Sequence, residues 1–246
     1  KAEERGDLKP GDTIVEATSG NTGIAVSMFG ANKGYPVIIV MPSNMSEERK
    51  CMMRMFGAEV IETDPGDFDG SIGLRDKICK DPGFFNFNQF HNPDNIACHY
   101  ETTGVEILEQ TKGLPVAAFL DGTGTGGTLM GVSARLKERY PNIKTLAIEP
   151  SESPVMSGGE PGLHGIQGIG DGSKFLVDLD KVDEVLLVKT DDAIERMKQL
   201  HQRGLLVGIS SGANVLASER WIEKNNPDGI VVTILCDRGE RYLSCV

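Results

Sequence analysis

The stretch Thr13-Ile-Val-Glu-Ala-Thr18-Ser-Gly-Asn-Thr-Gly23 joins a short apolar strand, Thr13 to Val15, to an apolar helix predicted over Ile24 to Asn32. Small and polar residues occupy the whole connection, so the backbone N–H groups of Gly20 to Gly23 lie at a helix N-terminus with no intrahelical partner. Such groups receive anions. The plainer reading is that Thr18, Ser19 and Asn21 cap the helix, which is what these residue types do most often.

Outward from this stretch the chain alternates strand and helix. Pro10-Gly11-Asp12 is a turn before the first strand, and Val37 to Met41 is an all-apolar strand after the first helix, which makes a βαβ unit of a parallel sheet covered on both faces. Ser46 opens a second helix that runs to Phe56 and stops at Gly57, with Glu47 and Glu48 in its first turn. Met52, Met53, Met55 and Phe56 read as packing on that helix. A strand Glu59 to Glu62 and a helix Ser71 to Lys80 follow. Phe84 to Phe90 is strand-like, and Ala97 to Gln110 reads as one helix.

A second apolar strand, Val116 to Leu120, runs into Asp121-Gly-Thr-Gly-Thr-Gly-Gly-Thr128 and a helix Leu129 to Tyr140. Four glycines and three threonines exceed what a turn requires. Bare glycines let backbone N–H groups approach a phosphate, and threonine hydroxyls add donors. Gly122, Gly124 and Gly127 also satisfy the spacing of a dinucleotide-binding turn, with Glu149 where a ribose-binding acid would stand. The mid-chain position and Thr125 and Thr128, which suit a terminal phosphate, weigh against that alternative. The segment Ser151 to Gly172 is a long loop of the kind usually kept for function. Strand Glu184 to Val188, helix Asp191 to Gln202, a helix from Gly208 to about Lys224 and strand Ile230 to Leu235 continue the βα pattern.

With 246 residues, 39 % hydrophobic content and 30 glycines, the chain is long enough for a two-lobed α/β body. The lobe boundary is expected at 104/105, giving lobes 1–104 and 105–246. A net charge of −11 excludes nucleic acid as an expected partner, since phosphate neutralisation needs a basic face. The five cysteines are scattered, without a C-x-x-C pair, and read as reduced thiols of a cytoplasmic protein; no metal site is expected. No apolar run approaches the ~20 residues of a membrane span.

Six motifs then occur in an order that resembles the O-acetylserine sulfhydrylases, or cysteine synthases: Thr18-Ser-Gly-Asn-Thr-Gly23, Asn88-Gln-Phe-His-Asn-Pro93, Gly124-Thr-Gly-Gly-Thr128, Ile166-Gln-Gly-Ile-Gly170, Gly208-Ile-Ser-Ser-Gly212 and Gly239-Glu-Arg-Tyr-Leu-Ser244. The resemblance covers the whole chain. It implies the tryptophan-synthase-β-like fold type II of pyridoxal-phosphate enzymes, an α/β fold of two lobes, each with a mostly parallel sheet flanked by helices. It implies pyridoxal 5'-phosphate as cofactor. By it, Gly124, Thr125, Gly126, Gly127 and Thr128 hold the cofactor phosphate, and Asn21 bonds the cofactor's phenolic oxygen. Thr18, Ser19, Gly20, Thr22 and Gln89 receive the substrate carboxylate, with Gly168 also at the substrate. Asp237 stands where many relatives place a serine against the pyridine nitrogen, and pairing with Arg238 is its alternative role.

The implied reaction is loss of acetate from O-acetylserine and addition of sulfide, giving cysteine. Condensation of serine with homocysteine is the alternative within the fold, and a non-catalytic binding module the alternative outside it. The family's Schiff-base lysine belongs to a segment upstream of Lys1, so no catalytic residue is carried over; the start of the chain reads as mid-element, which favours a longer parent chain. A homodimer and a serine acetyltransferase partner are expected from the resemblance alone.

Overall fold

A computed structural model describes residues 1–18 and 20–244. The chain forms two compact units, one of residues 1–89 with 240–246 and one of residues 90–239. The division falls at Gln89/Phe90, earlier than the expected 104/105. The reason is local: the helix that follows Pro93 packs on the helix that follows the glycine-rich turn, and so belongs with the second sheet.

Unit 1 opens with one helical turn, α1 (Ala2–Arg5), ended by Gly6 in the left-handed conformation, φ 75°. There follow β1 (Thr13–Ala17), α2 (Asn21–Lys33), β2 (Val37–Pro42), α3 (Glu47–Met55), β3 (Glu59–Thr63), α4 (Phe68–Ile78) and β4 (Phe84–Phe85). The strands form a parallel sheet in the order β3-β2-β1-β4. Ile14 pairs with Val37 and Ala17 with Val40. Parallel strands covered by helices are apolar along their whole length, and Val15, Ala17, Ile39, Val40 and Met41 are all fully buried. Ile24 of α2 and Met53 of α3 complete this core. The methionine-rich face is only partly packing: Met53 is buried, whereas Met55 is 86 % exposed. Helix α4 begins three residues before the expected Ser71, because Asp67 caps it by accepting from Gly70 N.

Unit 2 contains α5 (Pro93–Glu101), α6 (Thr103–Gln110), β5 (Val116–Gly122), α7 (Gly127–Arg139), β6 (Lys144–Pro150), β7 (Glu184–Val188), α8 (Thr190–Gln202), α9 (Ile209–Asn225) and β8 (Ile230–Thr233). Its strands are again parallel, in the order β7-β6-β5-β8. Phe119, Leu129, Val132, Leu136 and Ala147 are fully buried in one cluster with Ile107 and Ile143. The expected single helix Ala97 to Gln110 is two. Thr102 leaves helical geometry at φ −120°, ψ −80°, and its hydroxyl bonds back to the Cys98 carbonyl at 2.7 Å, an intrahelical competition that bends helices. Among the described residues no helix is long and apolar enough to cross a membrane, and no group of three His, Cys, Asp or Glu is placed to hold a metal.

Candidate functional site

In unit 1 the connection from β1 to α2 is held from below. The Thr18 N–H donates to Val40 O on the neighbouring strand at 3.1 Å, and the Thr18 hydroxyl oxygen accepts the Gly20 N–H at 3.1 Å. Thr18 and Gly20 are buried, Thr22 is half-buried and Asn21 is exposed. Ser19 lies outside the described residues. The N-cap of α2 is Gly20, which has no side chain with which to cap the helix, and the first turn points its backbone N–H groups out of the helix N-terminus, an arrangement that suits an anion. A Cβ on Gly20 would sit 2.4 Å from Arg49 Nε. Arg49 is itself buried, donates to the Tyr242 hydroxyl at 2.6 Å and lies over its ring. Only glycine fits between this guanidinium and the loop.

Gln89 joins the same place from the other side of the unit's sheet order, next to β4. Its side-chain amide donates to Ala17 O at 2.8 Å, and its backbone N–H donates to Glu16 Oε2 at 3.4 Å. The structure thus gathers Thr18, Gly20, Thr22 and Gln89 about one strand end.

In unit 2 the turn after β5 is equally constrained. Gly126, at φ 85°, is the N-cap of α7 and has no side chain of its own, while the neighbouring Thr125 hydroxyl accepts the Gly127 N–H at 3.2 Å. That left-handed conformation is strained for any residue with a Cβ. Thr125 is fixed from two sides: its hydroxyl accepts from Asn95 Nδ2 at 3.0 Å, and its carbonyl accepts from Leu176 N at 3.0 Å. A Cβ on Gly124 would lie 2.5 Å from the Gly168 carbonyl oxygen, and one on Gly127 would lie 2.0 Å from Asn95 Oδ1. The Ile166–Gly170 loop therefore lies directly against the turn, anchored by buried Ile166 and Ile169 and by the Gly170 N–H donating to Thr123 O at 3.0 Å. Thr128 Oγ1 is 3.2 Å from His99 Nε2, and His99 Nδ1 is 3.0 Å from Thr103 Oγ1. Burial holds the His99 pKa below its ordinary value, which favours the neutral imidazole in this bridge.

Two acids frame the turn. Glu149, the residue a dinucleotide site would need, is buried and fully occupied by its own loop: it accepts from Met156 N, Ser157 N and Ser157 Oγ at 2.8, 2.9 and 2.6 Å. Asp121, at the end of β5, is also buried, and desolvation pushes its carboxyl up to about 7 against the opposing bonds from Asn214 and the Gly122 N–H. Asp237 is buried too, at 8 % exposure, and its backbone carbonyl accepts from Gly208 N at 3.0 Å. That bond ties the segment after β8 to the start of α9, where Gly208 is a third N-cap without a side-chain capping bond.

Residues 1–237 match the family model described as pyridoxal-phosphate dependent enzyme. The chain belongs to this family. Among curated relatives of this pyridoxal-phosphate-dependent enzyme, a cysteine synthase of Staphylococcus aureus (strain Mu50 / ATCC 700699) is 45 % identical over 250 residues, covering 99 % of this chain and 80 % of that protein. A probable cysteine synthase of Bacillus subtilis (strain 168) is 40 % identical over 251 residues, with the same two coverages, 99 % and 80 %. Among solved structures, cysteine synthase from Entamoeba histolytica superposes with a TM-score of 0.92 at 44 % identity, covering 99 % of this chain and 73 % of that one. A hydrogen sulfide-producing enzyme from Fusobacterium nucleatum gives 0.93 at 43 %, covering 99 % and 75 %. The fold is that of the fold type II pyridoxal-phosphate enzymes, with two parallel four-stranded sheets.

The turn of this pyridoxal-phosphate-dependent enzyme fits a phosphate-bearing cofactor. Four closely spaced glycines, each of which would carry a Cβ within 3.0 Å of a neighbouring atom, line a helix start at which Thr125 Oγ1 accepts the Gly127 N–H at 3.2 Å. Sequence reasoning missed Asn95, Asp121, Glu16 and Arg49. Asn95 stands two residues beyond the Asn-Pro pair and could have been noted as a polar residue in a first helical turn; the others carry no local signal, since their roles arise from packing.

Proposed function

We propose that this protein makes L-cysteine from O-acetylserine and sulfide with pyridoxal 5'-phosphate. The observation that carries the reading is the identity to cysteine synthases through 99 % of the chain. The chemistry breaks the bond from Cβ to the acetate oxygen and forms a bond from Cβ to sulfur; acetate leaves and sulfide enters, so the overall exchange needs no oxidant. The bound cofactor supplies an electron sink for the substrate's Cα.

The chain's own residues bind and orient. Gly124 to Thr128 hold the cofactor phosphate at the start of α7, with Thr125 kept in place by Asn95 and Thr128 by His99. Asn21 bonds the cofactor's phenolic oxygen, and Asp237 supports its pyridine nitrogen. Thr18, Ser19, Gly20, Thr22 and Gln89 receive the substrate carboxylate, with Gly168 in contact with the substrate. Fixing the carboxylate by several donors orients the Cα–H bond for cleavage. The protein works as a cytoplasmic homodimer. Exposed Met28 and Phe29 on α2 and Met55 on α3, two helices that pack together, offer apolar surface for the second copy. Serine acetyltransferase is a further partner on family grounds.

A second reading runs the same sulfur chemistry toward release, as the name of the Fusobacterium nucleatum neighbour suggests. Purified full-length protein reconstituted with pyridoxal 5'-phosphate is expected to form cysteine from O-acetylserine and sulfide faster than it frees sulfide from cysteine. Faster release supports the second reading. Absence of turnover with sulfide and either O-acetylserine or O-phosphoserine, or faster condensation of serine with homocysteine, overturns the first.

A further inference from the structure

Beneath the β1–α2 connection lies a buried ion pair that the reaction does not use. Glu16, the residue of β1 two before Thr18, is fully buried, and Arg75 of α4 is 3 % exposed. Arg75 Nη1 donates to Glu16 Oε1 at 3.0 Å. The other nitrogens of the guanidinium reach outward: Nε donates to Asp76 Oδ1 at 2.9 Å, and Nη2 lies in ion-pair contact with the same oxygen at 2.8 Å. The free energy of taking two charges out of water is seldom recovered by their attraction, and an apolar pair of similar shape is often as stable. What an apolar pair cannot supply is direction.

Direction is what Glu16 imposes. Its Oε1 also accepts the Ala17 N–H at 2.9 Å, and its Oε2 accepts the Gln89 N–H at 3.4 Å. Ala17 in turn accepts from the Gln89 side-chain amide at 2.8 Å through its carbonyl. One carboxylate thus ties the root of the Thr18–Thr22 loop to Gln89, the two segments that receive the substrate carboxylate. Burial pushes the Glu16 carboxyl up, and the Arg75 charge opposes that push, so Arg75 favours the ionised, purely accepting form of Glu16.

We infer that Glu16 and Arg75 are positioning residues for the amino-acid carboxylate, fixing the distance between the Thr18–Thr22 loop and Gln89. The inference rests on the proposed function for the identity of the anion. The test uses full-length holoenzyme carrying Glu16→Gln, Arg75→Lys or Arg75→Met. Glu16→Gln and Arg75→Met are expected to raise KM for O-acetylserine and the Kd of unreactive L-alanine, read by calorimetry, by ~10-fold. KM for sulfide and the visible absorbance of the bound cofactor stay within about twofold of wild type. Arg75→Lys, which keeps the charge, restores most of the affinity.

A purely structural role would instead lower the thermal midpoint, the cofactor content and kcat together, with lysine no better than methionine. That pattern, or an unchanged KM for O-acetylserine in both Arg75 variants, overturns the inference even if Glu16→Gln does not fold. Wild-type protein that makes no cysteine but binds L-alanine, with binding weakened in the variants, overturns the proposed function and leaves the inference standing.

Discussion

Replacing Asp121 by asparagine should change how the protein's stability depends on pH. Asp121 is buried at the end of β5, and its carboxyl is pushed up to about 7 from an ordinary 3.8. A folded-state pKa above the unfolded one means that, between those values, the folded chain holds a proton that the unfolded chain has released. Stability is then full below the unfolded pKa and falls as pH rises through this window. The interval from 3.8 to about 7 corresponds to ~4 kcal/mol. Asparagine keeps the shape, never ionises, and retains an oxygen that can accept from Asn214 Nδ2, as Asp121 Oδ1 does at 3.3 Å. Urea unfolding of wild type and Asp121→Asn, from about pH 4 to about pH 8, measures the difference directly. The variant should gain on wild type with a slope of ~1.4 kcal/mol per pH unit, levelling above about pH 7. Common titrations cancel in the difference. A constant offset across the range would refute the reasoning.

The remaining predictions concern the turns and their supports. Gly126→Ala puts a Cβ at φ 85° and 2.5 Å from Val177 Cγ2; it should weaken binding of pyridoxal 5'-phosphate, read as loss of cofactor absorbance, and unaltered affinity would contradict the cradle. Tyr242→Phe removes the hydroxyl that accepts from buried Arg49 at 2.6 Å, and should cost ~1.5–3 kcal/mol in urea unfolding. His99 has its pKa lowered by burial, so its contribution is complete above the unfolded value of ~6.5 and is lost as pH falls through its lower folded value. His99→Gln should flatten that acid limb, and identical limbs would rule it out.

Much of this was legible in the residues because punctuation and periodicity agreed. Glu184–Val188 was readable to the residue, since an apolar run between charged neighbours leaves little freedom. The β1–α2 and β5–α7 connections were equally visible, because glycine and threonine in that density after a strand have few other uses. The helix break at Thr102 was not. Asn92 and Pro93 carry a clear start signal, with Asn92 accepting from Asp94 N at 2.9 Å, four residues before the start at Ala97 that the sequence pattern predicts. Thr102, Thr103 and Gly104 are weak helix formers, but helical residues on both sides of them masked a bend at which the Thr102 hydroxyl bonds back to the Cys98 carbonyl. The aromatic run Phe84 to Phe90 looked like a strand, but only Phe84 and Phe85 find a neighbour to pair with, on β1. Strand length there depends on a partner that lies far away in sequence. The same non-locality hid Glu16, Arg75 and Asp121: a charged residue in an apolar strand shows its purpose only once its partner is in place.

The return of residues 240–244 to unit 1 bears on the order in which the chain can finish folding. Tyr242 and Ser244 bond to Arg49 and Glu48 of α3, although the whole of unit 2, residues 90–239, intervenes. Unit 2 is continuous and can close as soon as it leaves the ribosome. Unit 1 begins first but waits for its last contacts. During synthesis, when domains form in the order they emerge, the Arg49 guanidinium stays without its aromatic cover until Tyr242 has been made. Unit 1 is therefore latched by residues made only after all of unit 2, and a chain cut before Tyr242 would carry a first sheet that is assembled but unlatched.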